Sequence, residues 1–254
     1  MVRSDGHTIT VVIPTYNEEA NLGALFREFA KLRTTWEVPF ELLIVDDDSP
    51  DGTGSLAREL GERLDVPTRV VTRKSPRSLG RAIVDGFLQS DTDLVCVMDA
   101  DLSHPPILLP LMMDRLNGFD GVVASRYTRG SRILDWPVRR RLVSLGATAM
   151  AHRLLRTRCT DPLSGFFVFR RASLQGITIT GLGHKPLLEI LSQKDVTIFE
   201  VPYVFRNRAN GRSKLGGRTI LEYLLLTGEL ARGGNRAGPS QRIVGESVPV
   251  PRGP

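Results

Sequence analysis

Cysteines, aromatic residues and long hydrophobic runs are all scarce in this sequence. Its 254 residues include two cysteines, Cys96 and Cys159, whose separation matches neither a metal-binding nor a redox motif. No apolar stretch reaches the roughly 18 residues of a membrane-spanning helix, and the first residues, MVRSDGHTIT, lack the apolar core of a signal peptide. We therefore expect a cytoplasmic protein whose membrane contact, if any, is peripheral.

Glycine-rich phosphate-binding loops are also missing. Neither GxGxxG nor GxxxxGK[ST] occurs in the sequence, which disfavours a dinucleotide-binding enzyme or a P-loop kinase. The formal net charge is +6, so the expected partner is anionic: nucleic acid, a membrane surface or a phosphorylated substrate. A nucleic-acid-binding module is the least favoured of these, because no recognition motif accompanies the charge and aromatic residues make up only 6% of the chain.

An alternation of predicted strands and helices fills the first half of the chain. Runs of β-branched and aliphatic residues predict strands over 8–13, 40–45, 68–72, 94–98 and 121–124. Apolar residues at helical spacing lie between them, and the last of these helices is predicted over 105–116. This alternation is typical of an α/β fold with a mostly parallel sheet and helices on both faces.

The second half of the sequence is less regular. An amphipathic helix is predicted over 142–155, preceded by several arginines, and further strands are predicted over 166–169 and 196–201. Gly, Pro and polar residues dominate 233–254, which we interpret as a disordered tail.

Two carboxylates follow the apolar run LVCVM at 94–98. Asp99 and Asp101 are separated only by Ala100, and ligands of open α/β sheets bind just beyond the carboxyl ends of the strands. Neighbouring carboxylates repel each other unless a cation lies between them, and Mg²⁺ takes one or two carboxylates together with phosphate oxygens. An isolated Asp-x-Asp is more often a polar turn than a metal site. His104, three residues after Asp101, is interpreted as a capping or packing residue rather than a metal ligand.

Polar loops after two other predicted strands strengthen the metal interpretation. Glu18 follows the first strand and Asp47 follows the second. Because parallel strands end at the same edge of a sheet, we expect these side chains to share one crevice with Asp99 and Asp101.

Six motifs in order carry a resemblance to a known family. They are PTYNEEANL, LLIVDDDSPDGT, VMDADLSHPP, ASRY, DPLSGFFVFRR and EVPYVFRNRANGRSKLGG. The chain resembles the family-2 glycosyltransferases and, more narrowly, the polyprenol (dolichol) phosphate mannose synthases, over about residues 8–230. The resemblance implies a Rossmann-like GT-A domain over 1–232, with a nucleotide-binding half at about 8–125 and an acceptor half at about 126–232.

The resemblance also implies roles for individual residues. The residues matched to the nucleotide sugar are Pro14, Tyr16, Glu18, Asp46, Asp47, Ala100, Arg208 and Lys214. Those matched to a bound Mg²⁺ or Mn²⁺ are Asp99, Asp101 and Ser103. Those matched to the acceptor phosphate are Arg126, Arg140, Ser144 and Ser213. Of these, Asp99, Asp101, Arg126 and Lys214 are expected to act in catalysis.

The implied reaction is transfer of mannose from GDP-mannose to a polyprenyl phosphate with inversion. A lipid phosphate is already an anion at pH 7, so the attack needs no general base, and catalysis would rest on positioning and charge stabilisation. A peripheral membrane surface and a separate membrane-anchoring subunit are the implied partners, with contact through 142–155 and 220–226.

Two alternatives within the family stay open. The donor could be a UDP-sugar with a different acceptor, or the chain could be an inactive relative. The second alternative rests on Ser78, which stands in RKSPRSLGRA where relatives usually carry glycine.

Overall fold

The computed structural model describes residues 8–74, 76–134, 136–155, 157–177, 179, 185–193, 195–206, 227–228, 230 and 243–245. Its strands are β1 (Ile9–Thr15), β2 (Phe40–Asp46), β3 (Thr68–Thr72), β4 (Leu94–Val97), β5 (Gly121–Ser125), β6 (Arg132–Ile133), β7 (Phe167–Arg170), β8 (Ile198–Pro202), β9 (Val204–Phe205) and β10 (Ile243–Gly245). Its α-helices are α1 (Glu19–Thr35), α2 (Thr53–Arg63), α3 (Leu79–Gln89), α4 (Leu109–Asp114), α5 (Val138–Leu155) and α6 (Pro186–Gln193). Short 3₁₀ helices span Pro106–Leu108 and Arg171–Leu174.

Eight strands form one mixed sheet in the order β10, β8, β5, β7, β4, β1, β2, β3. All neighbours are parallel except β7, which runs antiparallel between β4 and β5. The predicted nucleotide-binding and acceptor halves therefore share one continuous sheet. A separate parallel pair joins β6 to β9.

Alternating side chains of the central strands enter two hydrophobic layers, as expected for strands covered on both faces. On one face Val11 and Ile44 belong to a cluster with α1, α2 and α4. On the other face Val12 and Val97 belong to a cluster with α3 and α6. Helix α3 packs very closely, because a Cβ added at Gly86 would lie 2.3 Å from Val12 Cγ1. The predicted α/β class, with a mostly parallel sheet between helices, is confirmed.

Three predictions for secondary structure need correction. The helix predicted over 105–116 is split into a 3₁₀ turn and the shorter α4, because three prolines at 105, 106 and 110 remove main-chain donors. Asn17, just before the first predicted helix, is the residue type that favours an N-cap, but the chain enters α1 at Glu18 and Asn17 has a positive φ of 55°. Ile243–Gly245 pairs with β8, so these three residues of the predicted disordered tail extend the sheet instead; Ile and Val suit such an edge position.

Helix α5 confirms the predicted helix but not its amphipathic character. It starts four residues earlier, at Val138, and its buried side chains include the small residues Thr148 and Ala151. The larger Leu142 and Leu145 are 64% and 41% exposed. The helix packs through small side chains together with Leu155 and the partly buried Met150, whereas Leu142 and Leu145 do not face the core. Over the described ranges, no helix combines the length and hydropathy needed to cross a bilayer.

Candidate active site

The candidate site lies at the edge where β1, β2 and β4 end. Thr15, the last residue of β1, is in register with Asp46, the last residue of β2, and Val97 at the end of β4 is in register with Val12. The loops that follow these three strands are therefore neighbours, as the sequence predicted.

Asp46 holds the loop after β2 in shape. Its Oδ1 accepts hydrogen bonds from the hydroxyls of Thr15, at 2.9 Å, and Ser49, at 2.6 Å. Its Oδ2 accepts the main-chain N–H of Ser49 at 2.9 Å. Both oxygens of this buried carboxylate thus serve the loop itself, which makes its contribution to the site structural.

Asp47 is held by a residue that the sequence did not single out. Arg73, just after β3, donates from Nη1 to Asp47 Oδ1 and from Nε to Asp85 Oδ2, the latter at 2.5 Å. Burial acts to lower the pKa of Arg73, but the hydrogen bonds to Asp85 and Asp47 outweigh it and raise that pKa. These contacts of Arg73 fix the position of the Asp47 carboxylate at the crevice.

Ser78 completes the Asp47 contacts through its main chain. Its N–H donates to Asp47 Oδ2 at 3.0 Å, and its hydroxyl accepts the Arg81 N–H at the start of α3. Glycine at position 78 would supply the same N–H. The serine that replaces the usual glycine at position 78 was the basis for considering an inactive relative. It therefore leaves the hydrogen bond to Asp47 intact.

Tyr16 and Glu18 occupy the loop after β1. The guanidinium carbon of Arg77 lies 4.1 Å from the centroid of the Tyr16 ring, within the range of a cation–π contact. Glu18 accepts a hydrogen bond from Asn21 Nδ2 at 2.6 Å, and its N–H donates to Thr53 Oγ1 at 3.0 Å. Pro14 is a buried residue within β1. Arg77 is a second arginine that the sequence analysis missed.

The two carboxylates after β4 differ in exposure. The Asp99 side chain is 36% exposed, whereas Asp101 is buried and its Oδ1 accepts both the N–H and the hydroxyl of Ser103, at 3.1 and 2.6 Å. Ala100 between them has a buried side chain. The chain makes this tight turn through Leu102, which has a positive φ of 59°.

His104 packs beneath the turn, as the sequence predicted. Its ring stacks on Phe166 with centroids 5.2 Å apart, and its Nδ1 accepts the Asp99 N–H at 2.9 Å. Burial is the main cause that lowers the pKa of His104, so the ring is neutral at pH 7. The histidine orients the main chain at Asp99.

The donor set fits a cation that is shared with a phosphorylated ligand. Within the described ranges, no group of three or more His, Cys, Asp or Glu side chains is arranged to hold a metal. Mg²⁺ and its relatives, however, need only one or two carboxylates when phosphate oxygens and water complete the shell. Asp99 and Asp101 meet that requirement, and the Ser103 hydroxyl, which donates to Asp101, keeps acceptor lone pairs.

Arg126 is fixed by a buried carboxylate on the other side of the crevice. Its N–H and Nε donate to Asp161 Oδ2 at 2.9 and 2.7 Å, and its Nη2 donates to Asp161 Oδ1 at 2.7 Å. Although burial acts to lower it, the charge of Asp161 holds the pKa of Arg126 far above its usual value. Asp161 lies in the DPLSGFFVFRR motif, but its role is visible only in the structure.

Arg140 and Ser144 lie one turn apart on α5 and are linked to Arg126. The Tyr127 hydroxyl, next in sequence to Arg126, donates to Ser144 Oγ at 2.7 Å. The Trp136 ring lies between the two arginines, 5.6 Å from the Arg126 guanidinium carbon and 4.4 Å from that of Arg140. The structure therefore brings together the three described residues that were matched to the acceptor phosphate.

Lys185 is a further cation beside this group. Its Nζ donates to the Leu163 carbonyl at 3.3 Å. Burial, followed by the charge of Arg126, lowers the pKa of Lys185 to about 8, despite an opposing effect of Asp99 and Asp161. A lysine before a proline at a helix start belongs to no motif, so Lys185 could not be singled out from the sequence.

The loop 161–165 connects the two sides of the crevice. Asp161 at its start holds Arg126. A Cβ added at Gly165 would lie 3.1 Å from His104 Cε1 and 3.8 Å from Asp99 Oδ1. Arg126 and the Asp-x-Asp turn therefore lie against opposite ends of one short loop. Arg208, Ser213 and Lys214 lie outside the described residues.

This arrangement matches a known family. The sequence profile described as Glycosyl transferase family 2 matches residues 10–178, and the chain belongs to that family. It is a glycosyltransferase with the GT-A fold.

Among its relatives, a dolichol-phosphate mannosyltransferase of Pyrococcus furiosus is 40% identical over 221 residues, which are 85% of this chain and 61% of that protein. A dolichol-phosphate mannosyltransferase of Saccharomyces cerevisiae is 35% identical over 232 residues, 87% of this chain and 86% of that protein. This chain therefore spans less than two thirds of the archaeal relative and most of the yeast one.

Solved structures confirm the fold. A mannosyltransferase of Pyrobaculum calidifontis in complex with GDP-Man and Mn²⁺ superposes with a TM-score of 0.62 at 19% identity, over 91% of this chain and 66% of that one. A glucosyl-3-phosphoglycerate synthase of Mycobacterium tuberculosis in complex with Mn²⁺, UDP and phosphoglyceric acid gives 0.60 at 21% identity, over 90% and 79%.

Proposed function

We propose that this glycosyltransferase transfers mannose from GDP-mannose to a polyprenyl phosphate and yields polyprenyl phosphate β-mannose. The observation that carries the proposal is the group of cations opposite the Asp-x-Asp turn: Arg126, Arg140 and Lys185. Such a group suits a phosphate monoester, because guanidinium groups bind phosphate oxygens in pairs. The relatives named dolichol-phosphate mannosyltransferase, at 35–40% identity, support the same substrates.

On the donor side, Asp47 accepts hydrogen bonds from the guanine base, and Tyr16 and Glu18 line the nucleoside pocket. Arg73 keeps Asp47 directed at that pocket. Pro14, Asp46 and Ala100 shape its walls through buried packing. Arg208 and Lys214 close over the diphosphate; their roles rest on the family resemblance alone.

Asp99 and Asp101, with Ser103, hold Mg²⁺ or Mn²⁺ together with the donor diphosphate. When bound, the metal neutralises charge on the departing GDP. His104 fixes the main chain at Asp99, so the carboxylate is positioned in advance.

On the acceptor side, Arg126, Arg140, Ser144 and Ser213 orient the phosphate for in-line attack. A phosphate oxygen forms the new bond to mannose C1 as the bond from C1 to the GDP oxygen breaks, and the anomeric centre inverts. The nucleophile arrives ionised, so no side chain has to remove a proton. Catalysis then consists of positioning two anions and stabilising the charge that develops between them.

The protein acts peripherally at the cytoplasmic face of a membrane, because its acceptor is a lipid. Val138, Leu142 and Leu145 lie on one exposed side of α5, and the exposed Arg141 is next to them. Apolar and basic side chains together bind anionic membranes. A separate anchoring subunit could add to this contact.

A donor and acceptor screen tests the reaction. The protein is incubated with GDP-mannose or UDP-glucose, with and without polyprenyl phosphate and Mn²⁺, and the products are identified by mass. We expect polyprenyl phosphate mannose only when all three components are present, and EDTA should abolish it. Product from UDP-glucose but not from GDP-mannose would overturn the donor assignment.

Two α5 variants test the acceptor assignment. Arg140→Ala should raise the KM for polyprenyl phosphate and leave that for GDP-mannose nearly unchanged. With polyprenyl phosphate dispersed in detergent, so that membrane contact plays no part, Arg141→Ala at the exposed neighbouring position is the matched control and should change neither. Equal effects on donor and acceptor would place Arg140 on the donor side.

A further inference from the structure

A buried carboxylate on β8 organises the segment that carries Asp161. Glu200 is 1% exposed and interrupts an otherwise apolar strand, IFEVP. Its Oε2 accepts the Thr160 N–H at 3.0 Å. Its Oε1 accepts the same N–H at 3.1 Å, the Thr160 hydroxyl at 2.7 Å and the Asp161 N–H at 3.3 Å. The Cys159 thiol donates to it at 3.5 Å. All these donors belong to three consecutive residues.

The same segment positions Arg126 in two ways. The Asp161 carboxylate holds the guanidinium and the main-chain N–H of Arg126. The Thr160 hydroxyl lies 2.8 Å from Ser125 Oγ, at the last residue of β5. Because β5 and β8 are adjacent and Val123 is in register with Glu200, the sheet fixes the distance between Glu200 and Arg126.

A role limited to packing within β8 would not require a carboxylate at this position. An ionised carboxylate is an acceptor on both oxygens, which matches a set of contacts made only of donors. Burying it is unfavourable unless every contact is made, and an apolar side chain would suit the rest of β8 better. The Glu200 carboxylate therefore holds residues 159–161 in one position.

We infer that Glu200 is a positioning residue for the acceptor phosphate. It fixes the main chain at Thr160 and Asp161, and Asp161 in turn sets the direction of the Arg126 guanidinium. This inference rests on the proposed function, since it takes the acceptor phosphate as the ligand of Arg126.

Kinetics of Glu200→Gln test the inference against a matched control, Asp120→Asn. Asp120 is also a carboxylate that ties together distant segments, accepting the N–H and hydroxyl of Thr197 at 2.7 Å each and the Ser173 hydroxyl at 2.6 Å. It precedes β5, at the end of the sheet opposite the site. We expect Glu200→Gln to raise the KM for polyprenyl phosphate about tenfold, the effect of losing roughly one charged hydrogen bond, with the KM for GDP-mannose unchanged.

An NMR measurement reads the link without any sugar transfer. In ¹⁵N-arginine-labelled protein, the Nε–H signal of Arg126, assigned from Arg126→Lys, should exchange slowly with water because it donates to Asp161. Glu200→Gln should accelerate that exchange, whereas Asp120→Asn should not. If Glu200→Gln does not fold, Thr160→Val removes the hydroxyl shared by Glu200 and Ser125 and should act in the same direction.

The two readouts separate the possible failures. Two results would overturn the inference. The first is that the wild-type protein is active but Glu200→Gln and Asp120→Asn have the same kinetics. The second is that the Arg126 signal is unchanged in Glu200→Gln. A wild-type protein that transfers nothing to polyprenyl phosphate would refute the proposed function, and the Arg126 signal would still decide whether Glu200 positions that residue.

Discussion

Replacing Asp161 by Asn should destabilise the protein strongly, because it leaves the Arg126 guanidinium buried without its counter-charge. Asp161 is fully buried, and it accepts three hydrogen bonds from Arg126. Removing one partner of a buried ion pair costs about 3–5 kcal/mol. That is a large part of the roughly 5–15 kcal/mol by which a domain is stable, so the urea midpoint should fall clearly.

A double-mutant cycle isolates the pair from the loss of packing. Arg126→Met leaves the Asp161 carboxylate buried without its cation, and the double variant Arg126→Met/Asp161→Asn removes both charges. If the pair acts as described, the double variant should lose less free energy of unfolding than the sum of the single variants, with a coupling of about 2 kcal/mol.

Glu59→Gln is the control for this cycle. It breaks the pair between Glu59 and Arg63 on α2, whose side chains are 61% and 60% exposed, and it should cost less than about 1 kcal/mol. Urea denaturation monitored by tryptophan fluorescence gives all the values. A coupling below about 0.5 kcal/mol between Arg126 and Asp161 would mean that water screens the pair, which would contradict the buried geometry.

Two further predictions concern the site. Lys185, with a pKa lowered to about 8 chiefly by burial, loses its positive charge as the pH rises through that value, so kcat/KM for the acceptor should fall there. Lys185→Met should remove this fall from the pH profile of kcat/KM. A fall that persists in Lys185→Met would belong to another group. Gly165→Ala would place a methyl group 3.1 Å from His104 Cε1 and disturb the hydrogen bond from the Asp99 N–H. It should weaken Mn²⁺ binding about tenfold, as the loss of a hydrogen bond that positions a metal ligand often does. Unchanged Mn²⁺ affinity by paramagnetic resonance would argue against a role for the His104–Asp99 hydrogen bond in metal binding.

The strands and the loops that bear carboxylates could be predicted from the sequence because their signals are local. A run such as LVCVM can form a buried strand in few ways, and the aspartates follow it directly. The parallel arrangement then follows from the β-α alternation. These two steps were enough to place Asp47, Asp99 and Asp101 at one edge of the sheet.

The contacts that fix the arginines could not be predicted, because they depend on pairing between distant segments. Arg73 reaches Asp47 because β3 pairs with β2. Asp161 reaches Arg126 because β7 runs antiparallel between β4 and β5 and therefore starts at the edge where β5 ends, so the segment before β7 lies beside Arg126. Neither pairing has a local signature. The amphipathic interpretation of α5 failed for a related reason, since its packed face combines small side chains with Leu155, whereas Leu142, Leu145 and Leu154 are exposed.

The buried carboxylates also determine how charge is distributed across the site. Arg126 and Asp161 together carry no net charge, so this pair supplies direction rather than positive potential. In the proposed reaction, further charge to balance the acceptor phosphate comes from Arg140 and Lys185, which lie beside the pair. The proposed binding of two phosphorylated substrates would benefit from this division, because a fixed donor orients an anion while neighbouring cations attract it. It follows that neutralising Lys185 should reduce acceptor affinity without changing the direction of the Arg126 guanidinium.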